Sequence, residues 1–395
     1  MKVLAGIIVG IFIFWFLTSF YFGVITPPSE GDSLIIHIHA AEKILNGTIF
    51  SLDYTKDLFY PSSTEIILAL FILLKIPLGL FGVFGVVVLF VGAYLLGKEL
   101  FRERSYAAIF ATSVAMLHGI IRWSLTQKPD ILMTASLAFA LWIVLKKKRE
   151  VLDYLLLGFF CALFIGAKFN GPIYLFVIIA PFYKVFVKDF SVKKTIYFLI
   201  PFLTIGCSWY IRNVIVTGDP FYFPDYSNIV SQGSLFNYTL RAYIFQPLMM
   251  ANAYLSEFML WSLGIILVPI YIFIKRKKMK DGANLLIAKL FTSAFIILII
   301  SLAFPYRALY YQLVGTMRYT LPMIFLIMIC VFLIAKKYGH EKLIALISMP
   351  IIVVSQMQDY HPKIMLPLVG LIVLIYFRRS IFAFFAKFVY LRYPR

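Results

Sequence analysis

PSSTEIILALFILLKIPL, residues 61–78, is the stretch on which the topology of this chain turns. It is apolar enough to enter a bilayer, and a proline stands near each end. If it crosses, every later loop changes side. The basic clusters choose between the two cases: KELFRER (98–104), KKKRE (146–150), KDFSVKK (188–194), KRKKMKD (275–281), KKYGHEK (336–342) and FRR (377–379). Short loops rich in lysine and arginine stay on the cytoplasmic side. These clusters share one side only if 61–78 does not cross. The segment is therefore expected to be a re-entrant or juxtamembrane helix that begins and ends on the outer face.

Working outward, the rest of the chain is almost as apolar. Of its 395 residues, 62% are hydrophobic and 14% charged, whereas soluble domains carry about 25% charged residues. Apolar runs of about 17 to 25 residues, long enough to span a bilayer, recur from end to end. The expected fold is an all-α polytopic membrane protein forming one integral-membrane domain over 1–395, with no separate soluble domain. About 12 spans are predicted on the usual length criterion: 5–25, 79–98, 105–123, 130–146, 151–168, 171–187, 194–213, 253–274, 283–304, 319–336, 342–358 and 363–377. The aromatic, basic tail SIFAFFAKFVYLRYPR reads as an interfacial helix. The first apolar run resembles a signal peptide. It is longer than a typical one and lacks a small-residue cleavage site before TPPSEGD, so it reads as a retained span.

Two function classes drop out. The net charge of +19 is spread over short clusters between apolar runs, which leaves no basic domain to hold nucleic acid. The three cysteines (Cys161, Cys207, Cys330) all lie inside apolar runs, so neither a disulfide framework nor a cysteine metal site is indicated.

The unusual residues gather on the outer side. EGDSLIIHIHA (30–40) follows the first span with two carboxylates, Glu30 and Asp32, and two histidines, His37 and His39. Asp130 opens a later span in TQKPDILMT. Arg122, Lys168 (in GAKFNGP), Arg212 (in WYIRNVIVTGDPFY) and Arg318 (in GTMRYTLPM) are cations at outer span ends, against the charge bias. A cation there with no lipid-sorting reason to be present points to an anion. Arginine's fork and lysine's point charge both suit a phosphate or diphosphate. Plainer readings stand beside these: Asp32 or Asp130 as helix caps, Lys168 as a snorkelling lysine, and His37 as an interfacial side chain.

Taken together, the motifs resemble the GT-C superfamily, in particular the polyprenyl-phosphate-sugar-dependent transferases related to protein O-mannosyltransferases and the lipid A aminoarabinose transferase. The resemblance covers most of the chain. It runs through GDSLIIHIHAAEKILNGT, DLFYPSSTEI, LLGKELF, QKPDILMTASLAFA, GAKFNGP, WYIRNVIVTGDPFY and RYTLP. Each motif is loose, and their order and spacing are the specific part.

The resemblance implies a GT-C-like catalytic module over 1–214, with 215–395 adding spans and outer loops. It further implies a lipid-linked monosaccharide donor, attack from the extracytoplasmic side of a plasma (inner) membrane, and inversion at the sugar carbon. On that pattern Asp32 and Asp130 are the catalytic carboxylates. Lys168 and Arg318, with His37, Tyr60, Arg212 and the neighbouring Tyr319, bind substrate. His37 matches the histidine of an Asp-x-Leu-x-x-His variety. The sequence departs from many relatives in having Glu30-Gly31-Asp32 where they carry an adjacent Asp-Glu pair. It also has Tyr60 where they carry a lysine before the proline.

The expected reaction needs no resident cofactor, because the cations can stabilise the departing phosphate without a divalent metal. The expected partners are the polyprenyl-phosphate-linked donor and membrane lipids. The rival class is a lipid or polysaccharide transporter or flippase. Transporters place charges near the bilayer midplane, often within repeated halves, whereas here the charges lie toward one face. A non-catalytic GT-C relative is a third reading.

Overall fold

The computed structural model describes residues 1–48, 60–189, 191–221, 247–278, 282–301 and 317–359. All regular structure among them is helical. Among the described residues, seven helical stretches are long and apolar enough to cross a membrane: Lys2–Ile25, Leu80–Phe101, Gly171–Lys188, Val192–Thr217, Pro247–Ile274, Gly282–Ser301 and Met317–Lys337. A helix satisfies its backbone polar groups within the segment, which hydrocarbon requires.

Fewer helices therefore meet the length criterion among the described residues than the sequence runs suggest, and the reasons are local. Helices Asp130–Leu145 and Val151–Ile165 have 16 and 15 residues. At 1.5 Å per residue each is roughly 23 Å long, short of a hydrocarbon core of about 30 Å. The run 105–123 is broken: helix Arg104–Ala115 ends, Leu117 takes extended backbone, and a single turn follows at His118–Ile121. Residues 342–358, by contrast, do form one continuous helix, Glu341–Asp359, of 19 residues. The run 363–377 and the aromatic tail lie outside the described residues.

The pivotal stretch 61–78 forms helix Ser63–Leu73, of 11 residues, about 16 Å long. It stops in a left-handed cap: Lys75 has φ 55°, and the Ile76 N–H donates to the Phe71 carbonyl at 2.9 Å, the arrangement that closes a helix C-terminus. Both ends of the stretch bond to turns at the same end of the bundle. The Ser63 N–H donates to the Gly166 carbonyl at 2.8 Å, and Gln127 Nε2 donates to the Leu78 carbonyl at 2.8 Å. Gly166 allows the first approach, because a Cβ there would run into the Ser63 hydroxyl. That hydroxyl donates to the Ile205 carbonyl at 2.6 Å and accepts from Trp209 Nε1 at 2.8 Å. Ile205 lies in a π-helical turn, Phe202–Cys207, just after Pro201. The wider turn alters the backbone bonding there, as π-bulges do.

Helix Leu321–Lys337 runs through the middle. It is apolar and buried around almost its whole circumference, from Leu321 through Cys330, as a helix enclosed by others must be. Helix Asp130–Leu145 is nearly as enclosed. Both begin at the end where 61–78 is tied down and run toward the basic clusters. There Lys336 meets Glu103 and Glu341, each at 2.9 Å. Arg149 meets Asp189 at 2.6 Å, and Lys146 meets Asp153 at 2.6 Å. The bundle is thus polarised, with lysine-rich turns at one end and a different set of charges at the other.

Candidate functional site

That other set assembles from four separated parts of the chain. The segment after the first helix brings Glu30 and Asp32, the turn before Asp130 brings Lys128, the turn after Ile165 brings Lys168, and the short 3-10 turn Met317–Thr320 brings Arg318 and Tyr319. Lys128 Nζ bridges Glu30 Oε1 at 2.9 Å and Asp32 Oδ2 at 3.1 Å. Arg318 Nη2 reaches the same Asp32 oxygen at 3.2 Å, and its Nε lies 3.9 Å from Asp130 Oδ2. Lys168 Nζ pairs with Asp130 Oδ1. Aromatic rings floor the cluster: Lys128 Nζ sits 4.1 Å from the Trp123 ring centre, and Lys168 Nζ sits 4.1 Å from that of Tyr319. Cations over such faces are favoured when water is scarce.

Neither aspartate is a helix cap. Asp32 precedes the π-helical turn Ser33–Ile38 and makes no side-chain cap bond. Glu30 does that work, its Oε2 accepting from the Ser33 N–H at 2.8 Å and the Ser33 hydroxyl at 3.0 Å. Asp130 opens its helix, also without a side-chain cap bond. The two differ sharply in exposure, with side chains 45% exposed for Asp32 and 3% for Asp130. Asp32 faces outward, and Asp130 is locked beneath the cations.

Other expected residues lie elsewhere. His37 does not neighbour Asp32 through any ion pair; its Nδ1 lies 2.6 Å from Oε1 of Glu65, a buried carboxylate on the short helix. The pairing follows from the π-helical turn, which carries His37 against Ser63–Leu73. Arg212 stays out of the ion cluster. Its Nη2 donates to Asn213 Oδ1 at 2.9 Å and to the Tyr60 carbonyl at 3.4 Å. The Tyr60 ring packs on Phe169 with centres 5.0 Å apart, next to Lys168 in sequence. Arg122 forms its own pair with buried Glu257, Nη1 to Oε1 at 2.7 Å. Lys128 and Glu65 are the residues sequence reasoning missed. Lys128 carried the same signal as the other outer cations, a lysine against the local bias, two residues before Asp130. Nothing local marked Glu65.

An apolar groove of about 660 Å³ runs between helices Val151–Ile165, Gly171–Lys188 and Val192–Thr217. Cys161, Ile165, Leu175, Ile179, Phe202 and Tyr210 are among its walls. At one end, the Tyr210 hydroxyl donates to the Ile165 carbonyl at 2.6 Å and lies 3.2 Å from the Lys168 carbonyl. The groove therefore ends at the turn that carries Lys168. Its volume is within the range of small-molecule sites, about 300–1,000 Å³.

Electrostatics separates the two partly exposed acids, Glu30 and Asp32, from ordinary carboxylates. Partial burial pushes the Asp32 carboxyl up, but Lys128 and then Arg318 outweigh it and hold it at about 2. Glu30 is lowered too, burial being outweighed by its hydrogen bond and charge pairing with Lys128. Both groups bind protons more weakly folded than unfolded, so their contribution to stability is complete above their ordinary values, 3.8 and 4.5, and is lost as pH falls below these toward 2. Unfolding temperatures in detergent should fall more steeply over that window for the wild type than for Asp32→Asn. Parallel curves would remove Asp32 from the acid-labile set.

As for metals, the point between Glu30 and Asp32 is taken by the Lys128 ammonium. Among the described residues no group of three His, Cys, Asp or Glu side chains converges on one position. No protein-family model matches the chain, and no curated protein is similar enough to count as a relative.

Proposed function

We propose that this chain is an inverting, GT-C-like glycosyltransferase with about a dozen spans in full. It moves a monosaccharide from a polyprenyl-phosphate donor to a lipid, glycan or protein acceptor. In this reading it sits in the plasma (inner) membrane with its site on the outer face. The observation that carries the reading is an apolar groove whose wall residue Tyr210 bonds to the backbone of the turn that also carries Lys168, a member of the ion cluster. A ligand with a long hydrocarbon tail and an anionic head fits both halves at once. The positive-inside rule gives the orientation, since the lysine-rich turns lie at the opposite end.

The chemistry follows from the residues. The polyprenyl chain lies along Ile179, Leu175 and Ile165, with its phosphate at Lys168 and Arg318. Asp32, the exposed carboxylate, accepts the proton of an acceptor hydroxyl or amine. The acceptor's lone pair forms a bond to the anomeric carbon from the face opposite the phosphate, and the bond from that carbon to the phosphate oxygen breaks. The electron pair departs with the phosphate, whose added negative charge the two cations stabilise. Asp130 touches neither reactant. It holds Lys168 and Arg318 in position, a narrower role than that of a second catalytic carboxylate. The Tyr319 ring beneath Lys168 orients that ammonium.

The test is reconstitution of the full chain in liposomes with polyprenyl-phosphate-linked sugars. Expected are release of polyprenyl phosphate and a product of inverted anomeric configuration. Movement of intact donor across the bilayer without release of polyprenyl phosphate would favour the flippase reading instead.

A further inference from the structure

Every cation of the cluster already has a carboxylate. Lys128, Lys168 and Arg318 stand against Glu30, Asp32 and Asp130, three charges of each sign among the described residues. Among the described residues of the cluster, no surplus positive charge waits for an anion. If this is a phosphate site, as proposed above, a phosphate enters only by taking the place of a carboxylate.

Which one yields is decided by burial and by bonds. Asp130 is enclosed and paired with Lys168 at the first residue of a buried helix, so expelling it means moving the helix start or leaving a buried charge alone. Glu30 is anchored three times, by Lys128 and by both the N–H and the hydroxyl of Ser33. Asp32 makes no cap bond, is the most exposed of the three, and meets its cations at 3.1 and 3.2 Å. A half-exposed carboxylate loses little on turning to water.

We infer that the lipid phosphate binds by exchange: it takes Arg318 from Asp32, and Asp32 turns outward to face the acceptor. Lys128 stays with Glu30, wedged over Trp123. The exchange joins two events that separate residues would otherwise have to coordinate. While Lys128 and Arg318 hold it, Asp32 is an ion-paired and poor proton acceptor; once the phosphate claims Arg318 and the freed carboxylate swings away from Lys128 as well, it regains basicity where the acceptor arrives. Donor before acceptor is the order this imposes.

The test measures binding, so it does not depend on transfer. Polyprenyl monophosphate is titrated into the purified full-length chain in detergent, comparing wild type with Asp32→Asn. Removing the competing carboxylate should tighten binding by about two- to fivefold, the range of a partly exposed ion pair, and the gain should shrink as salt rises. Asp32→Ser should behave alike. Inorganic phosphate should show the same gain at much weaker affinity, because the exchange concerns the head and not the chain. Equal or weaker binding by both Asp32 variants overturns the exchange, as does a gain confined to the lipid. Absence of lipid binding by wild type and variants alike falls on the phosphate reading itself, and the exchange falls with it.

Discussion

Asp32→Asn is expected to lower sugar transfer by about 10²–10⁴-fold, the usual contribution of a positioned general base. The amide is nearly isosteric with the carboxylate, and the side chain is 45% exposed, so the fold should tolerate it. What is lost is a group able to take a proton. Because the same change is expected to strengthen lipid-phosphate binding, the variant should show tighter substrate and slower turnover together, which general damage to the protein would not produce. Glu30→Gln is the control from the same loop: it keeps the acceptor at Asp32, although it gives up one of the two partners of Lys128. A loss under tenfold in Asp32→Asn, or an equal loss in Glu30→Gln, would remove Asp32 from the proton transfer.

The second large effect is on stability. Lys168→Met should destabilise the protein by about 3 kcal/mol, the lower end for breaking a buried ion pair from one side. The Asp130 side chain is only 3% exposed and cannot turn to water. Arg318 Nε, 3.9 Å from its other oxygen, offers partial compensation, which argues for the lower end. The double variant Lys168→Met with Asp130→Asn should recover most of the loss, since no buried charge then remains alone. Unfolding in detergent for both single variants and the double gives the coupling between them. If the losses simply add, the pair is not a unit.

Much of this architecture is readable before any coordinates, and the unreadable part has a pattern. An apolar, helical chain follows from composition. The short helix after Pro61 follows from counting which side the lysines fall on. Lys168 and Arg318 stand out as cations against the local charge bias, Asp32 and Asp130 as carboxylates beside apolar runs, and the four do converge. Lys128 is a cation against the same bias and could have been included. Partnerships are another matter. His37 and Glu65 are 28 positions apart, and no periodicity says that a π-helical turn will aim one at the other. Arg212 shares the composition of the phosphate-site cations, yet its local bonds to Asn213 and Tyr60 hold it elsewhere. Helix breaks such as that at Leu117 contain neither glycine nor proline, so hydropathy reads straight through them.

The separation of the partners also bears on biosynthesis. Asp32 and Arg318 are 286 positions apart, and Ser63 waits 146 positions for Trp209. Chains emerge from the ribosome N-terminus first. The helix at Ser63–Leu73 finds His37 already made but waits for Gly166 and Trp209, and it is too short to hold itself across the bilayer. Asp130 meets Lys168 early, after 38 residues, so the buried pair is complete while the chain is still growing. Asp32 acquires its arginine only when the last described membrane-crossing helix begins. A nascent chain halted before that point has made Lys168 and Asp130 but lacks the Tyr319 ring under that ammonium, and its outer carboxylate is still short of its second cation. The site closes last.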